Sequence, residues 1–316
     1  MKLNPSRIGW LIFFALMLAL PKLTSVKYHL HLCILALIWV IAAQGQNLIQ
    51  GYTGYVSIVQ AGFMGIGAYG STLLNMNFGL PVWLTIALAP LLTAVFAVAT
   101  GYPSLRVKGH YFAIVTLAFN MVIFIVLTNF TELTKGEAGI SKIPKPEGFG
   151  LFDFQDRVVY FYLVLGIAAA ITMLTAAIAR SKIGRTLVAI RQNEDLVGAI
   201  GIAAWRYKIF AFVAAAMYGG LAGALYAHYQ GFINPEIFSV GHSLDAILAV
   251  IVGGSGTVAG PVIGSFIVVL MPELLRFADS FRLILYGLLL VLATIFMPGG
   301  IVGLARDLRD RFKGRS

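Results

Sequence analysis

Residues 180–208 read RSKIGRTLVAIRQNEDLVGAIGIAAWRYK. The stretch packs Arg180, Lys182, Arg185, Arg191, Arg206 and Lys208 into 29 residues, opposed only by Glu194 and Asp195. Apolar runs lie on both sides of it, at 158–179 and 207–230. A bilayer core about 30 Å thick needs about 20 apolar residues at 1.5 Å each, and both runs are long enough. A charged connector between two such runs is one that stays in water while its neighbours cross lipid, and its excess of basic residues points to the cytoplasmic face.

The rest of the chain agrees. Hydrophobic residues are 59% of the 316, charged residues 11%, and mean hydropathy is +0.88. A soluble domain carries about 25% charge, so the composition predicts an all-α, polytopic integral membrane helix bundle, one domain over 1–316 with lipid as its main solvent. The net charge of +10 reads as basic residues gathered in cytoplasmic loops rather than as a nucleic-acid surface, because no RNA- or DNA-binding module accompanies it. The lone Cys33 lies in an apolar run, can form no intrachain disulfide and reads as a structural thiol. Lys2 and Arg7 precede a short apolar run, Ile8 to Leu20, which breaks at Pro21-Lys22 without a small-residue cleavage site. We expect an uncleaved first span there rather than a signal peptide.

Apolar runs fall at 8–20, 30–50, 62–77, 81–101, 109–130, 158–179, 207–230, 241–256, 259–276 and 281–298. That makes about ten membrane segments. The Gly-rich runs 62–77, 241–256 and 259–276 are candidates for half-helices or re-entrant segments. If 180–207 is cytoplasmic, the loop 131–157, with four Lys/Arg against five Asp/Glu, is external. Arg106 and Lys108, and both chain termini, including Arg306, Arg309, Arg311, Lys313 and Arg315, then fall inside. Lys22 and Lys27 would lie outside, the one mild violation. Ten spans split into five and five make inverted halves, since an odd number of crossings flips the second half.

Two Gly-rich stretches sit at corresponding places in those halves: GYTGYVSIVQAGFMGIGAYGS (51–71) and VGGSGTVAGPVIGSF (252–266). Paired, Gly-interrupted hydrophobic segments point to a transport pathway. Close helix packing through small residues is the alternative, with Gly219/Gly223 and Gly260/Gly264 as GxxxG pairs and Gly67/Ser71 as a small-xxx-small pair. Polar groups inside spans are expensive and so informative. Gln44, Asn47, Gln50 and Gln60 flank the first cluster, Asn120 sits mid-span, and Asp245 opens the run 241–256. Asp245 could equally cap a short helix after Ser243, and Glu273, Arg276 and Asp279 lie near an end where pairing or snorkelling is ordinary. The candidate pathway residues are Asn47, Gln60, Gly62, Gly65, Gly67, Asn120, Asp245, Gly253 and Gly254.

Enzyme signatures are missing from the sequence: no GxxxxGK[ST], no HExxH, no CxxC. The five histidines (29, 31, 110, 228, 242) are scattered, and His29 and His31 are two apart, wrong for one helical face. We expect no catalytic residue, cofactor or metal ligand. No ladder of buried carboxylates or histidines crosses the midplane, which weighs against a proton-driven carrier.

Within 180–208, Ile183, Leu187 and Ile190 form an apolar stripe at i, i+4, i+7 while Arg185 and Arg191 point elsewhere. Asn193 is a good N-cap, Glu194 and Asp195 occupy a first turn where carboxylates complement the helix dipole, and Gly201 supplies a stop. The result is a two-turn helix roughly 10 Å long, capped at both ends. It is suited either to docking a partner or to a solvated loop.

The pattern Gly184-Arg185, Ala189-Ile190-Arg191, Asn193-Glu194, Gly201-Ile202 resembles the EAA-type coupling loop of ABC importer permeases, and most of all the branched-chain amino acid (LivM-like) permease family. GYTGYVSIVQAGFMGIGAYG (51–70), YQGFINPEIFSVGHSLDAILAVIVGGSGTVAGPVIGSF (229–266), PELLRF (272–277) and MPGGIVGL (297–304) extend the resemblance over nearly the whole chain. One departure is Leu196-Val197, where the family usually has small alanines. It predicts a bulkier apolar contact at the dock.

The resemblance implies an inner-membrane import complex. This chain would pair with a second, paralogous permease, usually as a heterodimer, and two cytoplasmic ATPase subunits would hydrolyse the ATP. A periplasmic or surface-tethered binding protein would deliver substrate. Gly184, Arg185, Arg191, Asn193, Glu194, Leu196, Val197 and Gly201 would form the ATPase-coupling element. Urea or short amides are alternative substrates, and a stand-alone secondary carrier is the alternative of a different class. An integral-membrane enzyme lacks any catalytic constellation.

Overall fold

The structure, a computed structural model, describes residues 13, 15–21, 27–107, 109–148, 153–275, 287–288, 291, 297 and 299–305. Part of the run 8–20, most of the run 281–298, the basic tail beyond 305, and Lys2, Arg7, Lys22, Lys108, Arg276 and Asp279 lie outside the described residues.

Helices follow the hydrophobic runs closely, because in lipid only a helix satisfies its own backbone. They are α1 (Lys27–Gln46), running on into a π-helical turn at Asn47–Tyr52, α2 (Gln60–Phe78), α3 (Val82–Ser104), α4 (His110–Asn129), α5 (Arg157–Arg180), α6 (Lys182–Gln192), α7 (Glu194–Ala199), α8 (Ala204–Gln230), α9 (Val240–Gly253) and α10 (Ala259–Leu274). By length and composition five described segments can cross a membrane: Tyr28–Tyr52, Val82–Ser104, His110–Asn129, Arg157–Arg180 and Ala204–Gln230. The run 62–77 is not itself broken. It lies in the continuous helix α2, and the interruption is the non-helical stretch 54–59 just ahead of it.

α8 is the axis of the bundle and packs along α2, α3 and α1, while α1 is sandwiched by α5, α8 and α10. α1 is apolar all round, as a fully enclosed helix should be; Ile34, Leu37, Ile38 and Ile41 along it are essentially inaccessible. α3 and α4 close one side. Their outer faces carry Val95, Phe96, Ile114, Met121 and Ile125, all more than half exposed, the surface an aqueous protein would hide and a membrane protein gives to lipid.

Two short strands set the sidedness. Ile140–Ser141 in the loop after α4 pairs antiparallel with Phe232–Ile233 after α8, and the His228 ring bonds through Nδ1 to the Pro144 carbonyl at 2.7 Å. The loop 131–157 and the turn 231–239 therefore share one face. α5 and α8 both run from that face to the segment 181–203, which lies on the other.

The α2–α8 contact rests on small residues. A Cβ at Gly67 would overlap the Gly220 backbone, and one at Gly223 would overlap the Met64 carbonyl. Gly264 meets the Ala249 carbonyl in the same way and seats α10 on α9. Without a hydrophobic drive between helices in lipid, this close approach is what holds them together. Gly223→Ala should therefore cost on the order of 1–3 kcal/mol through overpacking. Gly166→Ala, where a Cβ meets nothing within 4 Å, should cost nothing. Thermal unfolding of the two variants in detergent, against the wild type, checks the difference.

Candidate functional site

Seven residues mark one depth. Gln60 Nε2 donates to the carbonyls of Ala42 (3.0 Å) and Ala215 (3.2 Å). Gly62 N–H donates to Asn120 Oδ1 at 2.7 Å, Ala61 N–H to Ser243 Oγ at 2.9 Å, and Ser243 Oγ to Asn120 Oδ1 at 3.3 Å. Asn120 is midway along α4 (His110–Asn129), roughly 15 Å from either end at 1.5 Å per residue. Ala42 and Ala215 are near the middle of their own spans. The N-terminus of α2 thus begins at the bilayer midplane.

The chain reaches that point by an unusual route. α1 widens out of register through the π-helical Asn47–Tyr52, and residues 54–59 return as non-helical chain before α2 starts. Backbone freed from helix at this depth must find partners inside the protein. Gln46 Nε2 donates to the Ser57 carbonyl at 2.9 Å, Ile58 N–H to Thr116 Oγ1 at 3.0 Å, and Asn120 and Ser243 take the first amides of α2.

The second break, 254–258 between α9 and α10, lies against the first. Asn47 Nδ2 donates to the Thr257 carbonyl and Asn47 Oδ1 accepts from Gly256 N–H, both at 2.9 Å, while Gln44 Nε2 donates to the Val258 carbonyl at 2.9 Å. Gly256 has φ +73, and a Cβ at Gly51 would lie 2.6 Å from its nitrogen, so glycine is required on both sides of this contact. Asn120 Nδ2, Gln44 Oε1 and Gln46 Oε1 are buried here without a hydrogen bond among the described residues.

The polar segment comes up underneath. Ser181 caps α6 and Asn193 caps α7, with Leu196 N–H donating to Asn193 Oδ1 at 2.9 Å, and Gly201 follows at φ +84. Leu187 and Ile190 are buried, seating α6 against the bundle. Arg191 Nη1 donates to the Gly51 carbonyl at 2.6 Å, and its aliphatic part lies over Gly54, where a Cβ would stand 3.0 Å from Cγ. Glu194 turns inward too. Its Oε1 pairs with Lys208 Nζ at 2.7 Å, and its Oε2 accepts the Tyr55 hydroxyl in a short hydrogen bond. Lys208 also donates to the Tyr55 hydroxyl at 3.2 Å and stands 4.6 Å from the centre of its ring. A phenol carries the O–H and a carboxylate only accepts, so Tyr55 is the donor to Glu194.

The structure gathers the sequence candidates unevenly. Gln60, Gly62 and Asn120 meet at one point, and Asn47 joins the second break beside Gly253 and Gly254. Gly65 and Gly67 serve packing, against Phe238 and Gly220. Asp245 is apart from both groups, in the second turn of α9 rather than at a cap, paired with His242 at 3.1 Å. The expectation that Leu196 and Val197 make one apolar dock needs correction: Leu196 is 63% exposed and Val197 only 4%. Adjacent helical residues point about 100° apart, and here the step turns Val197 into the bundle while Leu196 stays outside. Ile200, 69% exposed, accompanies Leu196. The sequence reading did not select Ser243, Thr116, Tyr55 or Lys208 as site residues; hydroxyls and a lysine near span ends are too ordinary to stand out before their partners are known.

Residues 28–294 match the family described as "Branched-chain amino acid transport system / permease component". The chain belongs to that permease family. The permease is 33% identical to the high-affinity branched-chain amino acid transport system permease protein LivM of Escherichia coli K12, over 86% of this chain and 69% of that one. It is also similar to LivH of the same organism, 26% identical over 84% of this chain and 91% of that protein. BraD of Pseudomonas aeruginosa is 25% identical over 84% and 91%. No solved structure matches the permease. It is a multi-pass membrane protein of a transport family, consistent with its spans.

Lys208 is 3% exposed, and stripping a partner from a buried ion pair costs about 3–5 kcal/mol because the other charge is left uncompensated. Glu194→Ala should accordingly lower the melting temperature of the purified permease by several degrees. Leu196→Ala, at the exposed face of the same short helix, should leave it unchanged. Detergent-phase calorimetry distinguishes the two.

Proposed function

We propose that this chain is one of the two permease subunits of an ATP-driven importer that carries branched-chain amino acids across the inner membrane into the cytoplasm. The family match and the transport named for LivM, LivH and BraD support the substrate class. That LivM and LivH are both permease proteins of branched-chain amino acid systems in one organism supports a paralogous pair. On this reading the segment 180–207 and both termini are cytoplasmic, two separate ATPase subunits hydrolyse ATP, and a periplasmic binding protein delivers substrate.

The observation that carries the mechanism is the continuous chain of contacts from α7 to both backbone breaks. Leu196 and Ile200 offer an apolar outer face for an ATPase cleft, with Gly184, Arg185 and Asn193 shaping the element. Arg191 lies over the first break at Gly54, bonds the Gly51 carbonyl just ahead of it, and touches the second break, where a Cβ on Gly256 would be 3.0 Å from its Nη1. Glu194 holds the first break through Tyr55 and the start of α8 through Lys208. A capped six-residue helix flexes little, so ATPase closure that displaces α7 displaces both breaks with it. The freed backbone then exchanges partners among Asn47, Gln60, Asn120 and Ser243, opening the pathway to one side or the other.

The test reconstitutes the complex in liposomes with its binding protein and labelled leucine or urea. Leucine uptake requiring the ATPase subunits is expected; uptake by this chain alone on an ion gradient, or of urea instead, would overturn the assignment. Glu194→Gln should cut ATP-driven uptake about tenfold or more while the ATPases still co-purify, and the exchange Glu194→Lys with Lys208→Glu should restore part of it. Leu196→Ala with Ile200→Ala should instead weaken ATPase co-purification. Wild-type uptake in the Glu194→Gln complex would remove Glu194 from the coupling path.

A further inference from the structure

Asp245 is the one carboxylate at the bilayer midplane among the described residues. Its depth follows from its neighbours. Ser243, two residues earlier, bonds the first turn of α2 and Asn120, and the His242 ring lies 6.0 Å from Trp39, near the middle of the span Tyr28–Tyr52. Yet the pair is not enclosed. The side chains of His242 and Asp245 are 42% and 29% exposed, and Leu244 between them is 46% exposed. Gly241, Leu244, Asp245 and Leu248 follow one open stripe of α9 at helical spacing.

Ionisable side chains at this depth face a bundle interior or a water-filled cavity, because hydrocarbon leaves them unsolvated. The stripe on α9 is thus of a different kind from the outer faces of α3 and α4, which expose only apolar groups around Val95 and Ile125. Asp245 Oδ2 is engaged by His242 Nδ1 at 3.1 Å, and Oδ1 makes no bond among the described residues. A carboxylate with one free oxygen at the edge of an aqueous passage matches the α-ammonium group of an amino acid.

We propose that the His242–Asp245 face of α9 lines the substrate passage, that Asp245 receives the α-ammonium of the amino acid in transit, and that the opposite wall is a second permease chain. Among the described residues nothing closes this passage, since α9 is open along the stripe. The proposal rests on the importer reading for its substrate class, but not for the existence of the wetted face.

The test uses the full permease complex in liposomes, with Cys33→Ser removing the only native cysteine. A thiol reacts as its thiolate and needs water, so Leu244→Cys should react with a charged methanethiosulfonate at least about tenfold faster than Val95→Cys or Ile125→Cys. A photo-crosslinking residue at Leu244 should form an adduct with the second permease chain. Asp245→Asn should lower leucine uptake about tenfold, and Asp245→Glu should keep most of it. Labelling at 244 as slow as at 95 and 125, adducts with lipid or this chain alone, or wild-type uptake by Asp245→Asn would each overturn the proposal. Labelling needs no transport, so a complex that fails to move leucine would sink the importer reading while leaving the wetted face to be judged separately.

Discussion

A backbone amide or carbonyl that leaves a helix inside lipid has no water to turn to. Among the described residues this protein leaves helix twice at depth, at 54–59 and at 254–258, and the way it satisfies those groups organises everything near them. The partners are carboxamides and hydroxyls lent by other helices: Gln44, Gln46 and Asn47 from the end of α1, Thr116 and Asn120 from α4, and Ser243 from α9. Each can exchange its bond for another of similar strength at modest energetic difference. A break held by side chains is thereby a place where the bundle has more than one workable arrangement, whereas an intact helix has one.

The polar segment 181–203 is built to act on that place. Its two short helices are capped by Ser181 and Asn193, so the segment behaves as a stiff elbow between α5 and α8. The residues expected from sequence to meet a partner, Arg191 and Glu194, instead reach inward to Gly51 and to the Tyr55–Lys208 pair. Division of labour within a few residues results: an apolar outer face at Leu196 and Ile200, and a charged inner face tied to the bundle. Charged inner contacts are directional and break at a cost, which suits them to carry displacement.

Much was legible in the chain because membrane solvation is a severe filter. The helix positions, the all-α class, the sidedness of 131–157 relative to 180–207 and the caps at Asn193 and Gly201 followed from apolar run length, basic-residue placement and local capping chemistry, and the family followed from motifs in order. These are local properties: a run of twenty apolar residues has one stable conformation in lipid whatever surrounds it.

What only the tertiary structure decided were the pairings between polar groups of different segments, from 14 to 210 positions apart. Asn47 meets Gly256 and Thr257, Asn120 meets Gly62 and Ser243, and Glu194 meets Lys208 and Tyr55. Sequence could mark Asn47 and Asn120 as costly in lipid, but not name their partners, because a carboxamide bonds equally well to any backbone at reach. The same limit hid which side Leu196 and Val197 take, and left glycines such as Gly65 and Gly67 undecided between pathway and packing until the facing backbone was in view. Composition and periodicity dictate which segments enter the membrane; packing alone dictates which of their polar groups find one another there.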